Sequence, residues 1–197
     1  MITYGELTNV RVVAVTGGRR VQPRESELYC FARAFGRAVV RVGCARGVDS
    51  AVYERCRHAG LLHEKWIAKW SELGKRAGRV RNEAMLRGDE SVGATIDLDA
   101  LSTGLADLLV RWPGGTGSAH CESTARRFGI RVVTIDEVCG AVERWSVVDL
   151  VYRLAAADSE HRDYWLSEAE IAVAKLKAKP DWRPLWWQAA MLPEVKP

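Results

Sequence analysis

Apolar and polar positions follow two alternating periods along the chain. Val10–Val15 (VRVVAV) is a β-branched run that stops abruptly at Thr16-Gly17-Gly18-Arg19-Arg20. A continuous apolar run this short predicts a strand covered on both faces, as in a parallel sheet. From Glu25 to Arg37 the spacing changes: Leu28, Phe31, Ala32, Phe35 and Ala38 recur at helical steps and share one face. Strand, glycine turn and helix make the first half of a βαβ unit.

The unit then repeats. Ala38–Val42 predicts an apolar strand, Gly43–Asp49 a glycine turn, and Ser50 to about His58 a helix stopped by Gly60. His63–Trp70 predicts a short strand, Ser71–Gly78 a polar loop and Arg79–Leu86 a helix. Arg87–Gly104, with its glycines and acidic residues, predicts an irregular insertion. Ala106–Trp112 predicts a strand, Ala119–Phe128 a helix stopped by Gly129, and Arg131–Ile135 the last strand. Beyond Asp136 the pattern is helical, with Val147, Leu150, Val151 and Leu154 on one face and a continuation over Glu168–Lys179 up to Pro180.

The expected fold is therefore α/β: a Rossmann-like, doubly wound, mainly parallel sheet over residues 1–140. A helical, Trp-rich C-terminal extension is expected over 141–197. Trp182, Trp186 and Trp187 are too apolar to be left in water, so they are expected to pack on the core or on a second subunit. With the second of these, a homodimer or a higher homo-oligomer is the expected assembly.

Composition narrows the function classes. At 197 residues, 48% hydrophobic and 27% charged, the chain has material for one core. The net charge of +4 comes from 29 basic and 25 acidic residues that are scattered, apart from Arg19-Arg20 and Arg126-Arg127. A dedicated nucleic-acid binder shows a steeper excess or a basic stripe, so nucleic acid is a possible but not a favoured partner. The five cysteines, Cys30, Cys44, Cys56, Cys121 and Cys139, form no CxxC pair. This spacing argues against structural zinc and for reduced thiols in a cytoplasmic protein. Met1–Leu7 has no apolar core of a signal peptide, and no run approaches the ~20 residues of a membrane span, so no membrane partner is expected.

The chemistry concentrates in glycine loops after the strands. Pro113-Gly114-Gly115-Thr116-Gly117-Ser118 lies between a strand and a helix. Phosphate binding needs backbone N–H groups turned to one point, and glycine lets the chain come that close. The following helix adds its unpaired N–H groups and positive dipole end. A tight turn without a ligand is the plainer alternative, but three glycines and two hydroxyls at this junction favour the ligand. The turns TGGRR and GCARGVD stand at the same place on their own strands, and in an open parallel sheet such loops converge on one crevice. Arg19 or Arg46 could fork onto a phosphate. Asp49 could accept from a ribose hydroxyl or cap its helix.

The succession TGGRR, GCARGVDSA, Trp70-x(7)-Gly78-x(2)-Arg81-Asn82-x(2)-Met85 and PGGTGSAH resembles the SLOG superfamily, in particular its YspA/cpYpsA-related subgroup. The resemblance runs from about Val10 to Ile135, with the motifs in the family's order. It implies a Rossmann-like fold and a small nucleotide or nucleotide-derived ligand, held by Thr16, Gly17, Gly18, Arg19, Gly43, Arg46, Gly47, Asp49, Asn82 and Pro113 through Ser118. No cofactor and no metal are expected.

The chain is also similar, more distantly, to the LOG phosphoribohydrolases, which cleave the N-glycosidic bond of nucleoside 5′-monophosphates. Arg81 and Met85 match one part of their signature, and Pro113, Gly114, Gly115, Gly117 and Ser118 match the PGGxGTxxE part. The catalytic glutamate of that motif falls at Cys121, and the carboxylate, Glu122, comes one residue late. One position is a rotation of about 100° on a helix. The glycosidic centre gains positive charge as the base leaves, so a carboxylate must face it. Glu122, Glu83 and Asp49 are the candidates, and Arg81 could hold the phosphate or balance their charge. Glu83 also reads as a solvated helix residue, Cys121 as a buried thiol, and His120 as a packing residue. The expected function is hydrolysis or transfer at an N-glycosidic bond. The alternatives are a non-catalytic sensor of a nucleotide-derived ligand and, because GCARGVDSA also resembles the DprA proteins, single-stranded DNA binding.

Overall fold

The computed structural model describes residues 2–97, 102–157 and 167, with backbone alone at 97 and 147–157. Its strands are β1 (Val12–Thr16), β2 (Val39–Val42), β3 (His63–Ala68), β4 (Ala94–Asp97), β5 (Leu108–Arg111) and β6 (Arg131–Thr134). They form one sheet in the order β4-β3-β2-β1-β5-β6. Strand β1 holds a central place because both of its faces are apolar: Val13, Ala14 and Val15 are all buried. Neighbours pair in parallel, except that β4 runs antiparallel to β3. The protein is thus α/β, with a mostly parallel six-stranded sheet compatible with a Rossmann-like fold.

The helices are α1 (Tyr4–Thr8), α2 (Glu25–Ala34), α3 (Val48–Ala59), α4 (Trp70–Leu73), α5 (Ala77–Arg87), α6 (Thr116–Arg127) and α7 (Ile135–Ala157). From β1 the chain winds one way to β2 and β3, then returns and winds the other way through β5 and β6. Right-handed crossovers therefore put α2 and α3 on one face of the sheet and α6 on the other. On the α6 face, Ala14, Trp66, Leu109, Met85, Leu86, Cys121 and Ala125 make one core cluster, which brings α5 to the same side. Helix α2 is tied to the end of β5, where Trp112 Nε1 donates to Glu27 (3.1 Å) and the ring lies 5.6 Å from Phe31.

Two expectations are corrected here. The stretch Arg87–Gly104, expected to be irregular, contains a short 3-10 turn and the edge strand β4, in register with β3 from Lys65 opposite Asp97 to Ala68 opposite Ala94. The polar loop expected over Ser71–Gly78 is instead helix α4, a 3-10 turn and the start of α5.

Strand β2 is not purely apolar either. Arg41 is fully buried and pairs with equally buried Glu64 on β3, Nε to Oε2 at 3.1 Å. Its guanidinium also donates to the carbonyls of Met85 (3.1 Å), Gly104 (2.9 Å) and Ser102 (2.6 Å). Glu64 accepts in addition from Trp66 Nε1 (3.1 Å) and the Ser102 hydroxyl (2.6 Å). A buried charge is tolerated when it is paired and its other donors are satisfied. Both conditions hold.

The chain divides into two compact units, Met1–Cys139 and Gly140–Pro197. The sheet belongs to the first. In the second, α7 continues to Ala157, and the Ser146 hydroxyl donates to the Val142 carbonyl (2.9 Å). The side chains of Val147, Leu150, Val151 and Leu154, the helix expected over Glu168–Lys179, and Trp182, Trp186 and Trp187 lie outside the described residues.

Candidate functional site

The connections leaving β1 and β5 diverge to opposite faces, and in open α/β sheets that is where ligands bind, beyond the carboxyl ends of the strands. Here the loops after β1, β2 and β5 are in backbone contact. The Gly18 N–H donates to the Pro113 carbonyl (2.9 Å), and Val48 N–H reaches the Gly18 carbonyl (3.4 Å). Gly47 sits at φ +76°, where a Cβ would lie 2.3 Å from the Gly18 carbonyl oxygen. Only glycine fits that junction. Thr16 is buried at the end of β1, and Gly17 packs against Val48 of α3.

Beneath these loops a polar chain joins three of the segments singled out in the sequence. Asp49, in the first turn of α3, is 5% exposed; its carboxylate accepts from Ala45 N–H (3.2 Å) and pairs with Arg81 Nη1 at 3.5 Å. Burial pushes the Asp49 carboxyl above its ordinary value, and the Arg81 charge is the largest influence opposing it. Arg81 Nε donates to Asn82 Oδ1 (3.1 Å), and Asn82 Nδ2 donates to the Gly117 carbonyl (3.2 Å). Gly43 makes room for the ion pair: a Cβ there would lie 1.6 Å from Arg81 Nη1 and 2.2 Å from Asp49 Oδ2. Most glycines of these loops therefore serve the packing of loop on loop.

The start of α6 is different. Gly115 is its N-cap, with no side-chain cap, and the first helical bond runs from Ala119 N–H to the Gly115 carbonyl (3.0 Å). The N–H groups of Thr116, Gly117 and Ser118 precede that bond, and among the described residues nothing accepts from them. No acidic residue stands in this first turn. Residues Pro113 to Gly117 are exposed, and a Cβ at Gly115 or Gly117 would meet open space. Ser118 is buried, its hydroxyl tucked under Gly114. The helix begins three residues earlier than the sequence pattern indicates. Thr116, Gly117 and Ser118 are thus helical N1 to N3 rather than loop. Arg19 and Arg46 are exposed at the same edge.

The other candidates lie elsewhere. The Glu122 carboxylate is held by Arg111 (3.2 Å) and Arg126 (3.0 Å), and none of its hydrogen bonds or ion pairs runs to Arg81 or its neighbours. Cys121 takes the inward position: fully buried, within hydrogen-bonding reach of the Thr16 side chain, and close enough to feel Arg81 and Asp49. Burial pushes its thiol up to about 12, which removes the thiolate a nucleophile needs. Glu83 pairs with Arg87 on its own helix (3.4 Å). His120 lies near Glu83, Arg79 and Arg127; its Nδ1 is buried without a hydrogen bond, and burial followed by the two arginines lowers its pKa.

Sequence reasoning missed Arg111, which neutralises Glu122. Its signal was its place as the last residue of a buried strand, level with Thr16. Among the described residues no group of three or more His, Cys, Asp or Glu side chains could hold a metal ion. No described helix is long and apolar enough to cross a membrane. No protein-family model matches this chain, and no curated protein matches it.

Proposed function

We propose that this protein binds a nucleoside 5′-phosphate over the carboxyl ends of β1 and β5. The observation that carries this reading is the exposed, uncapped first turn of α6. Its three unpaired amides have no acidic residue in their turn, and the Gly18 N–H to Pro113 carbonyl bond fastens the turn to the loop that bears Arg19. Backbone N–H groups and a helix dipole favour an anion there. Arg19, exposed at the same edge, adds a positive charge. The likeness of these loops to SLOG motifs supports the same ligand class.

Cleavage of the N-glycosidic bond is a second reading, and Asp49 favours it. This carboxylate, unlike Glu122 and Glu83, is linked to the first turn of α6, through Arg81 and Asn82. Water would add to the ribosyl carbon and the base would leave with a proton, giving free base and ribose 5-phosphate. A carboxylate stabilises the positive charge that builds in between. Asp49 is nearly covered, so binding without turnover is the primary proposal.

The test is titration calorimetry with AMP, GMP, CMP and UMP, and with ribose 5-phosphate, alongside mass spectrometry for released base. Binding without release supports the sensor. Release that stops in Asp49→Asn while binding persists supports cleavage. No binding of any of these phosphates, together with salt-sensitive retention of single-stranded DNA, overturns both.

A further inference from the structure

Large aromatic side chains of the sheet unit are mostly covered: Trp66 and Trp112 are at most 1% exposed, whereas Trp70 is 47% exposed. Exposure alone means little. Position is what distinguishes this ring. Trp70 opens α4 just beyond the carboxyl end of β3, on the same edge of the sheet as the three contacting loops. The Arg19 guanidinium carbon lies 5.8 Å from the ring centre, within cation–π range. Arg19 also acts on the Asp49 carboxyl, so the indole stands beside the loop that Gly18 fastens to Pro113. Helix α5 comes near the ring as well: a Cβ at Gly78 would lie 3.4 Å from Trp70 Cη2. The two ends of the Trp70-x(7)-Gly78 spacing are therefore close in space, and a side chain larger than glycine at 78 would meet the ring.

We propose that Trp70 is the stacking face for the base of the bound nucleotide, with the Arg19 guanidinium alongside it. This rests on the nucleoside-phosphate reading above and names the part of the site that reads the heterocycle. A flat indole accepts any base by stacking, so the platform selects nucleotides over sugar phosphates without choosing among bases.

Titration of the full chain with AMP and with ribose 5-phosphate separates the two claims. In Trp70→Ala, AMP binding should weaken by about 5- to 150-fold, the worth of one base stacked on an aromatic ring, while ribose 5-phosphate binding stays unchanged. Trp70→Phe, which keeps a flat face, should recover most of the loss. An unchanged AMP affinity in Trp70→Ala, or equal losses for AMP and ribose 5-phosphate, overturns the proposal and leaves the phosphate site standing. If the wild-type protein binds neither compound, the phosphate reading itself fails, and the stacking proposal fails with it.

Discussion

Replacing Arg81 by methionine tests the polar chain beneath the loops. The substitution keeps an unbranched side chain under Gly43 but removes the partner of a carboxylate whose side chain is 8% exposed. Breaking a buried ion pair costs about 3–5 kcal/mol, because the remaining charge is left uncompensated. Here the 3.5 Å separation and the surviving bond from Ala45 N–H point to the lower end, about 3 kcal/mol. That is a large share of a total stability of roughly 5–15 kcal/mol. The penalty must also depend on pH. Burial raises the Asp49 carboxyl and Arg81 holds it down, so without Arg81 it rises further. An acid whose folded pKa exceeds its unfolded value binds more protons when folded, and stability is then lost as pH rises between the two values. Below about pH 4 Asp49 is protonated in both states and the penalty fades; it is complete above the folded pKa. Urea unfolding at pH 4.5 and 7.5, followed by far-ultraviolet circular dichroism, should show the larger destabilisation at pH 7.5. Adding Asp49→Asn should recover much of it. A penalty below about 1 kcal/mol, the size of an exposed pair, or one that does not change with pH, would refute the buried pairing.

Three further outcomes follow from the same geometry. Gly117→Glu places a carboxylate in the first turn of α6, where a Cβ meets open space; stability should hold or rise by about 0.3–1 kcal/mol while calorimetry shows AMP binding abolished, and retained binding would mean the anion sits elsewhere. Glu64→Ala leaves the buried Arg41 guanidinium without its counter-charge, so urea unfolding should register a loss of about 3–5 kcal/mol, and a neutral result would contradict the burial of that pair. Cys56 and Cys121, buried and with thiols pushed up to about 12, should resist an aromatic disulfide reagent at pH 8 until urea unfolds the chain, while half-buried Cys44 reacts first; rapid labelling of native Cys121 would rule out its place in the core.

The central strands were legible because they are buried on both faces and cannot hide their apolar character, and the edge strand β6 because its Val132-Val133 pair is β-branched. VVAVT, LLVR and RVVT were all found within a residue or two of their ends. Strand β4 was not, since Ala94–Asp97 (ATID) follows Gly93, ends in an aspartate and carries a single large apolar residue, Ile96. Its pairing depends on β3, a partner remote in sequence. Arg41 escaped for a related reason. Inside AVVRV it reads as a polar interruption, and its burial becomes tolerable through partners remote in sequence, the Glu64 carboxylate 23 residues away and the Met85, Ser102 and Gly104 carbonyls.

At the site, the glycine loops identified themselves, but not what each glycine is for. Periodicity says where a turn must be; it does not say whether the space beside Gly43 holds a ligand or the Asp49–Arg81 pair, because that depends on two side chains from other elements. The carboxylates show the same limit. A rotation of about 100° per residue on α6 separates Cys121, facing Thr16 and Arg81, from Glu122, facing Arg111 and Arg126. The spacing contains that rotation, whereas the arginines that fix Glu122 come from β5 and from one turn further along α6. The proposed anion seat has no such dependence. Its donors are main-chain N–H groups, which any sequence able to start a helix after Gly115 would present. Phosphate binding can therefore survive the loss of a motif carboxylate, and the two halves of the proposed function must be tested by separate substitutions.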